Sequence, residues 1–255
     1  MVLQRDMSHT TLINIPTGPA PSYRSDNVTG DGLYPTLDTI GKLKETLRMN
    51  IGIIGAGNIG ATAAHLFAKV GHDVAISNSR GPESLRGLVR EIGPNVKAGT
   101  VEEVATFGEV VLIAIPFKDY KTLPVARLAG KVVVDAMNYY PQRDGQIDFG
   151  SLTSSELVAR HLPHVRLVKA FNTMYYETLA TAGRPGLGDH LVLFVAGDDE
   201  EAKGVVSRLI EDIGFAPVDT GSLRDGGKQQ PGSPIYNEPM NTEQARSALF
   251  ALGGA

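Results

Sequence analysis

Asn50-Ile51-Gly52-Ile53-Ile54-Gly55-Ala56-Gly57-Asn58-Ile59-Gly60 decides the fold of this chain. Its apolar opening predicts a short buried strand, and Ile59 to Val70 follows at helical spacing with small residues on one side. Between them lies a GxGxxG pattern. Alone it is weak, because 29 glycines in 255 residues supply roughly 0.4 such matches by chance. Placed after a strand and at the start of a helix, it gains a physical role. A pyrophosphate needs close backbone approach and the positive end of a helix, and both are offered there.

Outward from this stretch, strand and helix alternate. The pattern predicts strand His72–Ser77, helix Pro82–Ile92, strand Val96–Ala98, helix Val101–Phe107 and strand Val110–Ile115. Helix Tyr120–Leu128, strand Lys131–Asp135, helix Ser154–His161 and strand Val165–Ala170 come next. Strand Leu191–Ala196, helix Glu200–Ile213 and strand Ala216–Asp219 complete the series. This is an α/β chain, a Rossmann-type doubly wound and mostly parallel sheet. We expect three regions: an N-terminal extension over 1–48, a dinucleotide-binding Rossmann domain over 49–223 and a loose C-terminal tail over 224–255. In the first, Leu33, Leu37, Ile40, Leu43 and Leu47 predict a short amphipathic helix, either a functional arm or an extension upstream of a start at Met49. In the last, Gly226-Gly227 and prolines at 231, 234 and 239 precede a helix from Thr242.

Composition narrows the function classes. Twenty-four basic against 28 acidic residues give a net charge of −4, which provides no electrostatic footprint for nucleic acid or an anionic membrane. The chain has no Cys, which removes thiolate zinc sites, iron–sulfur clusters and cysteine nucleophiles. The apolar run Val110–Phe117 is far below the ~20 residues of a spanning helix, and Met1 to Ala20 lacks the unbroken apolar stretch of a signal peptide. A soluble, cytoplasmic protein is the expectation. His161-Leu162-Pro163-His164 has its helix broken between the histidines, so no metal site is expected. Asp198-Asp199-Glu200-Glu201 reads as negative charge at a helix start.

The cofactor follows from the second strand, which ends in Ser77-Asn78-Ser79-Arg80 with no carboxylate before Glu83. An NAD site needs an acid there for the ribose 2′-OH, whereas hydroxyls and a guanidinium suit a 2′-phosphate. The expected cofactor is NADP(H). Its reactive end should lie at the carboxyl edge of the sheet, where Ile115-Pro116-Phe117, Asp135 to Tyr140 and Phe171-Asn172-Thr173-Met174 converge.

Those residues carry a specific resemblance. Asn50 to Gly60, Ser79-Arg80, Ala114-Ile115-Pro116, Val168 to Thr173 and Val195 to Asp199 resemble the coenzyme F420-dependent NADP oxidoreductase family. The cytosolic domain of STEAP metalloreductases is similar, sharing the string Lys169 to Thr173 and an Asp-x-Gly-Ser-Leu like Asp219 to Leu223. The resemblance spans roughly residues 50 to 223. It implies that Gly55, Ala56, Gly57, Asn58 and Ile59, with Gly60 closing the motif, wrap the pyrophosphate. Ser79 and Arg80 would hold the 2′-phosphate, with Ile115, Pro116 and Met137 beside the nicotinamide. Asn138, Phe171, Asn172 and Thr173 would then flank the transfer itself. It further implies a homodimer and hydride exchange between NADPH and an F420 deazaflavin or a flavin. Two other functions stay open. One is an NADPH-dependent reductase of a small carbonyl or imine, with Tyr139, Tyr140, Tyr175 and Tyr176 as proton donors. The other is a redox-sensing module without turnover.

Overall fold

The computed structural model describes residues 48–184 and 188–253. The amphipathic stretch expected over Leu33–Leu47 lies outside them. The first half runs β1 (Asn50–Ile54), α1 (Asn58–Lys69), β2 (Asp73–Ser77), α2 (Arg86–Ile92), β3 (Val96–Ala98), α3 (Val101–Phe107) and β4 (Val110–Ile113). Then come α4 (Val125–Leu128), β5 (Val132–Asp135), α5 (Pro141–Asp144), α6 (Ser154–His161) and β6 (Arg166–Lys169). The last part holds α7 (Tyr176–Ala182), β7 (Val192–Gly197), α8 (Glu200–Asp212), β8 (Ala216–Asp219) and α9 (Thr242–Gly253).

The strands form one eight-stranded sheet in the order β3-β2-β1-β4-β5-β6-β7-β8. All pairings are parallel except β6 with β7, where Lys169 faces Ala196. Period-two alternation sorts the strand side chains onto two faces. Ile51, Ile53, Val110, Leu112 and Val134 join Phe67 of α1 in one core, while Ile54, Val111, Ile113 and Val133 join Phe117 in the other. Being covered on both sides is why β4 and β5 are apolar at almost every position.

Local chemistry sets the helix starts. Thr100 and Glu103 form a capping box on α3, as do Thr153 and Glu156 on α6. The acidic run before α8 is consumed structurally. Asp199 caps the helix through the Ala202 N–H at 3.0 Å, and Asp198 accepts from the Leu223 N–H at 2.9 Å. Glu201 pairs with Arg166 and Glu200 with Lys203.

Three sequence expectations need correction. The helix expected over Tyr120–Leu128 is split: a 3-10 segment covers Phe117–Thr122, and α4 starts only at Val125. Pro124 cannot donate within a helix and pushes Leu123 into extended backbone, so the chain breaks there. Strand β4 ends at Ile113 rather than Ile115, leaving Ile115 and Pro116 as loop. The stretch from Gly226 has little regular structure between 230 and 241 but is held to the body. Ser222 and Asp225 cap a 3-10 segment over Leu223–Gln229, and Ile235 is fully buried with Val192, Phe194 and Val218. Among the described residues no helix is long and apolar enough to cross a membrane.

Candidate functional site

The strand order reverses between β1 and β4, and the carboxyl ends of the central strands open there into a cleft of about 480 Å³. Gly57, Asn58 and Ile59 line it from the β1 side, and Ala114, Ile115 and Pro116 from the β4 side. Ala136, Met137 and Asn138 follow β5, and Asn172 and Met174 follow β6.

The three motif glycines do different work. Gly55 turns the chain at φ +110°, where a Cβ would stand 2.3 Å from the Ala114 carbonyl oxygen. Gly60 lets α1 sit on that turn, since a Cβ there would lie 1.9 Å from the Gly55 oxygen. Gly57 is the N-cap of α1, and a Cβ on it would meet nothing within 4 Å. No side chain caps α1 and no acid stands in its first turn, so its leading N–H groups and dipole face open space. This cradle fits a pyrophosphate, with the room kept free at Gly57 and the packing at Gly55 and Gly60.

At the end of β2, Asn78 shapes the loop. Its Oδ1 accepts from the Arg80 N–H at 2.9 Å and its Nδ2 donates to Ser84 Oγ at 2.8 Å. Ser79 and Arg80 are exposed, outside the cleft lining but on the same sheet edge. The first acid downstream, Glu83, is paired with Arg86. The Arg80 guanidinium has no ion pair among the described residues, so its charge is available to a ligand phosphate.

Two amides close the deep end. Asn138 Nδ2 donates to the Asn172 carbonyl at 2.8 Å, and Asn172 Nδ2 donates to Asn138 Oδ1 at 3.1 Å and to the Gln229 carbonyl at 2.7 Å. Asn172 Oδ1 is buried without a partner, an acceptor that a carboxamide N–H would satisfy. Phe171 departs from its expected place. At φ +64° it turns its ring into the core, edge-on to Phe67 at 5.9 Å, so it shapes the loop rather than the cleft wall. Thr173 is likewise buried, its carbonyl accepting the Asn237 N–H at 2.8 Å.

Below the Met137 loop sits a buried ion pair. Lys169 and Asp135 both have fully buried side chains, with Nζ 3.3 Å from Asp135 Oδ2. Burial pushes the Lys169 ammonium below its ordinary range and Asp135 opposes that shift. Asp135 Oδ2 also accepts from Ser155 Oγ at 2.7 Å, Asp135 Oδ1 from the Met137 N–H at 2.9 Å, and Lys169 Nζ donates to the Met137 carbonyl. The loop is therefore held at both its N–H and its C=O.

Arg143, Tyr236 and Asn237 also line the cleft, and no motif or spacing in the sequence points to them. Arg143 follows Pro141 in the one-turn α5, and Tyr236 arrives from 96 residues further on to hydrogen-bond Tyr140 through their hydroxyls. Among the expected tyrosines, Tyr140, Tyr175 and Tyr176 line the cleft. Tyr139 does not; its hydroxyl donates to the Gly145 carbonyl at 2.8 Å and its ring packs on Phe149.

A mostly parallel sheet with a glycine turn at its switch point, a free N-cap and a cleft of neutral amides defines a dinucleotide-binding, Rossmann-type fold. Residues 50–139 match the family model described as NADP oxidoreductase, coenzyme F420-dependent. It is 30% identical over 192 residues to metalloreductase STEAP3 of Rattus norvegicus, a match covering 73% of this chain and 37% of that protein. The chain spans less than half the length of the curated relatives it matches. Among solved structures, the hypothetical protein SMa0349 from Sinorhizobium meliloti superposes with a TM-score of 0.68 at 33% identity, over 79% of this chain and 99% of that one. A candidate F420-dependent NADP reductase from Arthrobacter sp. FB24 gives 0.58 at 26% identity, over 80% and 90%. An imine reductase from Myxococcus stipitatus, at 15% identity and a TM-score of 0.53, shares the fold.

Proposed function

We propose that this chain passes a hydride between NADP(H) and a planar flavin-like or deazaflavin acceptor, F420 included. The observation that carries the reading is the make-up of the cleft: apolar Ile115, Pro116 and Met137 beside the neutral amides of Asn138 and Asn172. Bound NADPH supplies the hydride, a chemistry that asks the protein for position more than for a strong acid or base. Gly57, Asn58 and Ile59 hold the pyrophosphate on the N-terminus of α1, and Ser79 and Arg80 hold the 2′-phosphate. Asn172 Oδ1 accepts from the carboxamide, and Asn138 fixes Asn172. Lys169 and Asp135 keep the Met137 loop in register from below.

The test is NADPH oxidation by the full chain with F420, FMN, FAD and a panel of carbonyl and imine compounds. Turnover with ring acceptors supports the reading, and turnover with the panel alone sinks it. A second reading, reduction of a small carbonyl or imine, draws on the hydroxyls of Tyr140, Tyr175 and Tyr236 in the cleft lining. It requires that one of them be essential as a proton donor.

A further inference from the structure

Arg143 is the one charged side chain among the residues that line the cleft. It is held unusually firmly. Its Nε lies 2.8 Å from Asp144 Oδ1, and its Nη2 lies 2.9 Å from Asp144 Oδ2 and 2.6 Å from the Asn138 carbonyl. The guanidinium also sits 5.0 Å over the Tyr140 ring. Asp144, whose side chain is fully buried, is fixed in turn by the Tyr140 N–H at 2.9 Å. Asp144 raises the Arg143 pKa, so the group stays charged.

Those contacts use two nitrogens and leave the third. Nη1 has no hydrogen-bond partner among the described residues. Tyr140, whose ring the guanidinium overlies, shares a hydrogen bond between its hydroxyl and that of Tyr236, and both tyrosines line the same cleft. A purely structural Arg143 would need only the edge facing Asp144 and Asn138. A guanidinium already paired with its own carboxylate is poorly placed to capture a permanent anion by charge. It is well placed as a rigid donor for an oxygen that gains charge during reaction.

We propose that Arg143 Nη1, with the Tyr140–Tyr236 hydroxyl pair of the same cleft, receives a carbonyl oxygen conjugated to the hydride-accepting atom of the acceptor and stabilises the negative charge delivered there. This rests on the hydride-transfer reading and deepens it. The C–H bond at the dihydronicotinamide C4 breaks with its electron pair and a bond to hydrogen forms at the electrophilic ring atom. The displaced π pair settles on the conjugated oxygen, and solvent later protonates it. The ligand class is a ring whose dione edge carries that oxygen, as in flavins and deazaflavins. An aliphatic imine has no oxygen to place at Arg143. The location agrees, since Arg143 and Asn172 both hydrogen-bond Asn138 and all three line the same cleft.

The experiment compares the wild-type full chain with Arg143→Gln, Arg143→Lys and Tyr236→Phe. Turnover is measured with riboflavin, FMN and F420, and NADPH affinity by nucleotide fluorescence. A further titration uses oxidised and dithionite-reduced riboflavin. Arg143→Lys guards against misfolding, because it keeps a cation on Asp144 while removing Nη1. Both Arg143 variants should lose about 10- to 150-fold in kcat, the range for a lost charge-assisted hydrogen bond, with NADPH affinity within about twofold. The loss should be the same for riboflavin and FMN, and the reduced ring should lose more affinity than the oxidised one. Tyr236→Phe should show a smaller loss of the same kind. Turnover untouched by both Arg143 variants would overturn the inference and leave the hydride-transfer reading standing. So would a loss confined to FMN, which would assign Arg143 to the phosphate, or one that tracks NADPH affinity. A wild type inactive with every ring acceptor would bring down the reading and this inference together.

Discussion

Gly57 and Gly60 stand three residues apart in one motif, and the structure predicts opposite failures when each gains a side chain. A Cβ on Gly60 would lie 1.9 Å from the Gly55 carbonyl oxygen and 2.9 Å from its carbon, a clash with backbone that no rotamer relieves. Overpacking of this kind costs about 1–3 kcal/mol or more, which for a domain of this size lowers Tm by about 2–12 °C. Gly57 has φ −78° and ψ −171°, extended backbone open to any residue, and no atom within 4 Å of a Cβ. Gly57→Val should therefore cost only the N-cap preference, about 1 kcal/mol, or about 2–4 °C. Ligand response separates the two further. NADPH at 100 times its Kd stabilises a native protein by about 2.7 kcal/mol, which is about 5–11 °C here. Gly57→Val should lose that shift entirely, because its side chain fills the space of the pyrophosphate. Gly60→Ala should begin lower and keep part of it. Thermal melts of both variants with and without NADPH decide the matter. A Gly57→Val protein that retains the full shift would mean that the dinucleotide does not cross α1 at this point.

Three further outcomes follow from the same geometry. Arg80→Ala should weaken NADPH binding by about 10- to 150-fold and leave NADH nearly unchanged, read by titration with each; equal losses would remove Arg80 from the 2′-phosphate. Lys169→Met leaves the fully buried Asp135 without its cation and should cost about 3–5 kcal/mol in urea unfolding, whereas a change below ~1 kcal/mol would refute a dry ion pair. Asp225, which Lys228 and Ser222 hold at a pKa of about 2, contributes stability that is present above the ordinary carboxylate range and is lost as pH falls from about 4 towards 2. Asp225→Asn should flatten that part of the acid-unfolding curve, and an unchanged curve would place the acid sensitivity elsewhere.

The sheet was legible because its strands are buried on both faces: Val110 to Ile113 and Val132 to Val134 leave little other reading. Helix α7 leaves no such signal, because Tyr176 to Ala182 buries only Leu179 and so shows no apolar stripe. The antiparallel turn of β7 onto β6 was equally hidden, since an apolar run does not record the direction of its neighbour. Phe171 illustrates a different limit. The loop after β6 is legible from the end of its apolar run, but the positive φ that accompanies the turn of the Phe171 ring towards Phe67 has no local signal in the sequence.

The same distinction runs through the site. Its nucleotide half is built from contiguous residues whose spacing is itself the mechanism: turn, free N-cap and helix lie within Gly55 to Gly60. The rest of the cleft, where the proposal puts the acceptor, is assembled from contacts between distant segments, Asn138 with Asn172, Asn172 with Gln229, and Tyr140 with Tyr236. The C-terminal segment is therefore part of the cleft wall as well as a covering of the sheet, anchored by the buried Ile235 next to Tyr236. Changes in that segment should alter which acceptor is taken while leaving the dinucleotide cradle intact, because none of the motif glycines depends on it for its geometry. Under the proposed hydride-transfer reading, acceptor specificity is expected to reside in these elements that arrive late in the chain. Exchanging residues 230–241 should then change the acceptor preference without changing NADPH affinity.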